Sequence, residues 1–477
     1  MKGIGRRNFL KTVLAAGVAP YMRTFAAAGQ PRLRMGILSD IHIAGKGGRW
    51  NPLGVFSRTL RWFDSMKVDG VVIAGDMADF GMVEQLKLVG EAWDVIFPDN
   101  RAADGRRVEK VFVTGNHDHH FYNHPSMKRL YPDAEERYAR SIARDFDGAW
   151  RSCFHEPYLP FSVKSVKGYA FAALQYAAKG LPEEMAKLKP RLDPALPFFY
   201  VQHIHLKDTC YGPWAYGHDN GVSTATLSKF PNCVAFSGHS HYSLVDERSV
   251  WQGAFTSIGT SSLKYTTPLT GYENGAAESG RTKEMPLVKK YNGKQGILMD
   301  VFDDRIVLER RSFSFRKPAK LGPDWVIPLP YAEPGPFSFA ARMKTLSAPC
   351  FPKRAKAKLS VVDGENRKGE KRRQVELEFP SAIRGTGSAR AFDYEIEFVS
   401  AGGDTLVRRV LSSAYNLPPE NEPKSEKCVF HIDEVKTGGR FLIYPRNSFG
   451  RKGNSIETSF CRENYVLDEL GINPSGK

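Results

Sequence analysis

The feature that most constrains this chain is a recurring one: a short apolar run that stops at an acidic, amide or imidazole side chain. Leu33–Leu38 ends at Ser39-Asp40, Gly70–Ala74 at Gly75-Asp76, and 110–114 at Gly115-Asn116-His117. Further along, 198–202 ends at His203 and 234–237 at Gly238-His239-Ser240-His241. Runs this short and this apolar read as buried strands, and the stretches 55–66 and 82–96 between them carry helical spacing. Strands alternating with helices predict an α/β fold. In such folds the polar strand ends gather along one edge of a sheet.

Tyr169–Leu174 extends the strand pattern, and 296–315 holds two strand-like runs around the turn signal Asp303-Asp304, a hairpin that closes a second sheet. Prolines become frequent over 317–336, which reads as a semi-rigid connector. Beyond it, short strand candidates (VELEF, FDYEIEF, CVFHI, RFLIY) separated by polar and glycine-rich turns predict a smaller all-β, sandwich-like unit over 337–477. The expected organisation is an export segment over 1–29, a catalytic unit over 30–316, the connector over 317–336 and the β unit over 337–477. A length of 477 residues, with 42% hydrophobic and 25% charged residues, accommodates two such units and argues against a mainly disordered chain.

The first 29 residues carry Arg6-Arg7-Asn8-Phe9-Leu10-Lys11, then a modestly apolar run from Thr12 to Val18, then Ala26-Ala27-Ala28. Arginine pair, apolar run and small-residue cleavage site in that order predict a twin-arginine-type signal peptide and export, in bacteria to the periplasm. No other stretch reaches the apolar length of a membrane span. The formal charge is +16, and five of those positive charges lie in this segment. A basic balance favours anionic partners and is compatible with phosphate esters, nucleic acid or a membrane surface. The basic stretch 353–373 is expected as a solvated loop. Six cysteines (Cys153, Cys210, Cys233, Cys350, Cys428 and Cys461) show no CxxC spacing, so no zinc ribbon or redox motif is expected and no pairing is assigned.

Asp40-Ile41-His42, Gly75-Asp76, Gly115-Asn116-His117-Asp118, His203 and Gly238-His239-Ser240-His241 together resemble the five motifs of the calcineurin-like metallophosphoesterases, in that family's order and after suitable strands, over about residues 33 to 260. The resemblance implies a two-sheet sandwich flanked by helices and two divalent metal ions. Asp40, His42 and His241 would bind one ion, Asn116, His203 and His239 the other, and Asp76 would bridge them. Carboxylate, amide oxygen and imidazole suit manganese, iron or zinc. Such a pair activates a bridging hydroxide and stabilises attacking and leaving oxygens. His205, two residues after His203, is the alternative ligand there; otherwise it would face substrate or solvent. His117 resembles the family's non-ligand histidine, which protonates the departing alkoxide or stabilises phosphoryl charge. Asp79 resembles the carboxylate that hydrogen-bonds this histidine and favours its charged form.

Two departures narrow the family. Purple acid phosphatases place a tyrosine ligand where this chain has Asp79, and protein serine/threonine phosphatases an arginine where it has Phe80. What remains is hydrolysis of phosphate esters, with phosphodiesters preferred for the long insertion 121–189 and the basic charge. Phosphomonoesters are the alternative, and a non-catalytic envelope- or glycan-binding protein on the same fold is the reading from a different class. The insertion is expected to form part of the substrate wall. Its Tyr122, Trp150 and Tyr158 are expected first as packing residues. His119, His120, His124, His155 and His218 receive no role, and His431 is expected to be structural.

Overall fold

The structure, a computed structural model, describes residues 29–45, 51–211, 217–267, 269–275, 285, 287–288, 293–332, 335–366, 368–384, 390–435 and 438–461. The expected export segment therefore lies outside the described residues, save for Gly29. No helix among the described residues is long and apolar enough to cross a membrane.

Strands β1 (Leu33–Leu38), β2 (Gly70–Ala74), β3 (Glu109–Val113), β4 (Phe161–Val166), β5 (Tyr169–Leu174), β6 (Phe198–Val201), β7 (Cys233–Ser237), β8 (Val250–Gln252), β9 (Thr256–Gly259), β10 (Gln295–Val301), β11 (Arg305–Ser312), β12 (Ala319–Lys320) and β13 (Trp325–Pro328) build two sheets. The first has the order β12-β11-β10-β1-β2-β3, with β13 also on β11, and the second β4-β5-β6-β7-β9-β8. β1, β2 and β3 are parallel, as are β5, β6, β7 and β9. Their C-terminal ends therefore share one edge of each sheet.

Alternation along each strand sets the layers. Leu33, Met35 and Ile37 of β1, Val72 and Ala74 of β2, Phe199 and Val201 of β6 and Val234 and Phe236 of β7 meet in one core between the sheets. The intervening Val71 and Ile73 face a second core under α1 (Pro52–Ser65) and α2 (Val83–Ile96). Phe198, Tyr200, Cys233 and Ala235 face a third on the opposite side. The result is helix, sheet, sheet, helix. α1 starts where Asn51 accepts a hydrogen bond from the Gly54 backbone N–H, with Pro52 in the first turn, and it buries Val55, Phe56, Thr59, Leu60 and Phe63 along one stripe.

Residues 317–336, expected as a connector, include β12 and β13, which pair with β11. Beyond them, β14 (Lys358–Glu365), β15 (Lys371–Pro380), β16 (Asp393–Ser400), β17 (Thr405–Leu411), β18 (Ser425–His431), β19 (Gly439–Arg446) and β20 (Ile456–Phe460) form a three-stranded sheet, β14-β15-β18, and a four-stranded sheet, β17-β16-β19-β20. They share a core that includes Val375, Tyr394, Phe430 and Phe441. The basic stretch 353–373 is not a solvated loop: it supplies β14 and the start of β15, paired antiparallel from Lys358↔Glu378 to Glu365↔Lys371. Leu359, Val361 and Val362 lie within the paired register, while Lys353, Lys356, Lys358, Lys368 and Lys371 remain exposed. The six cysteines form no disulfide.

Candidate metal centre

All seven expected ligands converge where the C-terminal edges of the first two sheets meet. Asp40, His42 and His241 form one group of donors, Asp76, His203 and His239 a second, and His42, Asp76 and His117 a third, with donor atoms inside each group within 4.8 Å of one another. His241 Nε2 lies 2.9 Å from Asp40 Oδ1, and His203 Nε2 lies 3.3 Å from Asp76 Oδ2 and 2.9 Å from Asn116 Oδ1. Asp76 Oδ2 is also 3.7 Å from His42 Nε2, so this carboxylate stands between the groups. Asp40, His42, Asp76, His239 and His241 all have positive φ, between 50° and 72°. Clustered left-handed backbone on non-glycine residues marks a site whose geometry the surroundings impose.

The strands explain the tightness. Beyond β1 and β2, the Asp40 N–H donates to the Gly75 carbonyl and that of His42 to the Asp76 carbonyl, so the two loops run side by side. Gly75 has φ +91°, and a Cβ there would sit 2.2 Å from His203 Nδ1. A Cβ on Gly238 would sit 2.4 Å from Asp40 Oδ2. These glycines precede donors because a neighbouring donor occupies the space a side chain needs.

Imidazole orientation is fixed from behind. His203 Nδ1 pairs with the Ala74 carbonyl at 2.9 Å, His241 Nδ1 with the Tyr265 carbonyl at 3.1 Å, and His42 Nδ1 with Asp79 Oδ1 at 3.1 Å. Each Nδ1–H donates outward, which leaves the Nε2 lone pair facing the centre. Nε2 atoms of His42 and His241 then face each other at 3.2 Å, and His239 Nδ1 faces His203 Nε2 at 3.3 Å.

The buried carboxylates draw positive charge toward the centre. Burial alone would lower His42, but hydrogen bonds to Asp40 and Asp79 and the charge of Asp76 raise it to about 9. Burial is likewise overcome for His203, which Asp76 and Asp40 raise to about 9. Asp40 and Asp76 are held well below the usual carboxylate range: burial pushes both up, but His241 chiefly outweighs it at Asp40, and His203 and His42 at Asp76. Buried carboxylates and imidazoles that draw positive charge, with an amide oxygen among them and no thiolate, fit two divalent ions.

His117 and Asp79 lie beside the donors, in an arrangement that corrects the expectation. The Asp79 carboxylate does not take His117. His117 Nδ1 donates to the Asp79 backbone carbonyl at 2.7 Å, and the nearest carboxylate oxygen is 4.0 Å away. That oxygen is engaged by His42 Nδ1 and by Lys264 Nζ at 2.7 Å. Despite burial, His42 and Lys264 lower Asp79 to about 2. Burial, then the charge of His42, lowers His117 to about 4, so its charged form is not favoured as expected. The His117 ring stacks on Phe121 at 3.5 Å, with the His42 ring against it edge-on at 4.4 Å.

His205 also departs from its expected place. It faces neither substrate nor solvent: it is buried, with Nδ1 2.8 Å from Ser237 Oγ and Nε2 2.6 Å from Ser240 Oγ. Both nitrogens are occupied by hydroxyls of the β7 loop. Trp150 is buried in the helix-side core, as its packing role requires.

Three supporting residues carry no family-motif role in the sequence reading. Asp118 is fully buried and accepts from the backbone N–H groups of Ala78 at 2.8 Å, Gly115 at 2.8 Å and Met77 at 3.3 Å, tying the β2 and β3 loops together. Burial, then the Asp76 charge, raises it to about 7. Its place after Asn116-His117 was the available signal. Lys264 and Tyr265 come from the loop after β9 and had no signal of spacing.

Residues 33–243 match the family model described as calcineurin-like phosphoesterase. The chain carries a calcineurin-like phosphoesterase domain. By this match the activity class of residues 33–243 is that of a phosphoesterase domain, and the assembled donors could hold metal ions. No curated protein is similar enough in sequence to count as a match. Similar solved structures include a dimetal phosphatase from Danio rerio, with 12% identity and a TM-score of 0.34, covering 62% of this chain and 99% of that one. A purple acid phosphatase from yellow lupin (Lupinus luteus) seeds has 15% identity and a TM-score of 0.37, covering 63% of this chain and 55% of that one. Vacuolar protein sorting 29 from Cryptosporidium parvum has 11% identity and a TM-score of 0.28, covering 61% and 97%.

Proposed function

We propose that the phosphoesterase domain hydrolyses phosphodiesters at a two-metal centre, with Asp40, His42 and His241 holding one ion, Asn116, His203 and His239 the other, and Asp76 shared. Divalent ions bound there supply Lewis acidity toward the phosphoryl oxygens and activate a water for attack on phosphorus. Manganese, iron and zinc all suit these donors.

His117 acts on the substrate rather than on the metals. Its Nδ1 is committed to Asp79, its ring is clamped by Phe121, and it lines a cleft of about 770 Å³ together with Asp76, Asn116, His239 and His241. Nε2 is the nitrogen left for a phosphoryl or leaving-group oxygen. A phosphate's negative charge beside it favours the protonated ring, which then donates as the ester bond breaks.

The observation that carries the diester preference is that two clefts share walls with the centre. The cleft of about 770 Å³ continues along Tyr242, Tyr265 and Tyr272, and a second of about 600 Å³ runs past His203, Tyr176, Lys179 and His218. The diester reading assigns one substituent of the phosphate to each cleft. The buried, complete donor set supports catalysis over simple binding. Arg6-Arg7 and the apolar run behind it support export to the periplasm.

The test compares bis-p-nitrophenyl phosphate with p-nitrophenyl phosphate, using metal-loaded protein. Higher kcat/KM for the diester is expected. A clear preference for the monoester would replace this reading with a phosphomonoesterase.

A further inference from the structure

The two halves of the centre are braced differently. The half containing His203 leans on the Ala74 carbonyl, a strand end within the first sheet. The half formed by Asp40, His42 and His241 leans on one loop, residues 260–267, which also sends the Lys264 N–H to the Asp40 carbonyl and the Thr267 N–H to the His241 carbonyl. Ser262 Oγ donates to the Asp40 carbonyl at 3.0 Å, and the Leu263 N–H donates to that of Ser39 at 3.1 Å. The Tyr265 carbonyl accepts from His241 Nδ1 at 3.1 Å. Lys264 Nζ reaches Asp79 Oδ1, the same oxygen that holds His42 Nδ1.

This loop is itself tied to the C-terminal β unit. Thr266 Oγ1 donates to Asn416 Oδ1 at 2.6 Å, and Tyr415 Oη to the Thr267 carbonyl at 3.4 Å. Tyr415 also accepts through its carbonyl from Ser243 Oγ, two residues beyond His241.

We propose that Lys264 is a positioning residue for the metal position framed by Asp40, His42 and His241, and that the C-terminal β unit braces that position through the 260–267 loop. This rests on the two-metal reading of the same centre. Lys264 keeps the Asp79 carboxylate on His42. Without its ammonium, one of the two groups that fix this oxygen is gone, and His42 loses a firmly placed acceptor to aim Nε2 at the metal. Hydrogen-bond partners behind metal ligands typically affect metal affinity by about 10- to 100-fold. The effect is expected at one position because, among the described residues, His203 Nδ1 is held by the Ala74 carbonyl and not by the 260–267 loop.

The experiment is a manganese titration of the metal-stripped full chain by isothermal calorimetry, for wild type, Lys264→Met, Lys264→Arg and Thr266→Val, with far-UV circular dichroism to confirm folding. Wild type binds two ions. Lys264→Met is expected to bind one as wild type does and the other about 10- to 100-fold more weakly. Lys264→Arg restores most of the loss, and Thr266→Val weakens the same ion in the same direction. Two undiminished ions in folded Lys264→Met, or equal weakening of both, would overturn the proposal. If Lys264→Met does not fold, an unchanged Thr266→Val titration or failure of Lys264→Arg to retain tight binding overturns it. A wild type that binds no second ion would instead contradict the two-metal reading itself.

Discussion

His117 is held by the backbone of Asp79, not by its side chain: Nδ1 donates to the carbonyl at 2.7 Å while the carboxylate turns to His42 and Lys264. The two residues therefore divide the work. Asp79 orients a metal ligand, and His117 is left with Nε2 for the substrate.

For this reason His117→Ala is expected to leave two ions bound and to lower turnover by about 10²- to 10⁴-fold, the usual contribution of a positioned proton donor. Metal content measured by atomic spectroscopy alongside diester turnover checks this. Loss of an ion in the variant would place His117 among the ligands instead.

Gly238→Ala tests how tightly the loops are packed. Its new Cβ would meet Asp40 Oδ2 at 2.4 Å and Ser39 Oγ at 2.7 Å, so Asp40 must move. The variant is expected to fold by circular dichroism but to bind metal about tenfold or more weakly. Unchanged affinity would show that Asp40 tolerates displacement.

Much of this centre was legible because each donor ends an apolar run, and parallel strands bring such ends to one edge. His203 and His205 illustrate the limit. Both follow β6 and both are buried, and only the hydroxyls of Ser237 and Ser240, more than 30 residues away in sequence, show that His205 is a supporting residue. Lys264 was invisible for a similar reason: its partner Asp79 is 185 residues distant and no motif links them. In the C-terminal unit, β15, β16, β18 and β19 were anticipated from their apolar alternation. β14 was hidden by its charges, which point outward while Val361 and Val362 help it pair.

A pH effect on stability is expected from Glu426. Burial pushes it up to about 7 against hydrogen bonds from Ser413 and Ser412. Its folded pKa exceeds the unfolded value of 4.5, so the unfolded chain releases this proton first. Stability contributed by the protonated group is full below about pH 4.5, falls as pH rises and levels off above about 7. The span amounts to ~3 kcal/mol at most. Denaturant midpoints of wild type against Glu426→Gln from pH 5 to 8 should diverge in the variant's favour as pH rises. Parallel curves would show that Glu426 is ionised in the fold throughout.

The proposed function requires two metal ions to act together on a phosphate diester beside His117. Its most direct test is to strip the protein of metal and add manganese stepwise, following bis-p-nitrophenyl phosphate turnover and bound metal together. No turnover is expected in the stripped protein, followed by a rise that saturates at two ions per chain. Turnover without metal, or full turnover with one ion bound, would contradict it.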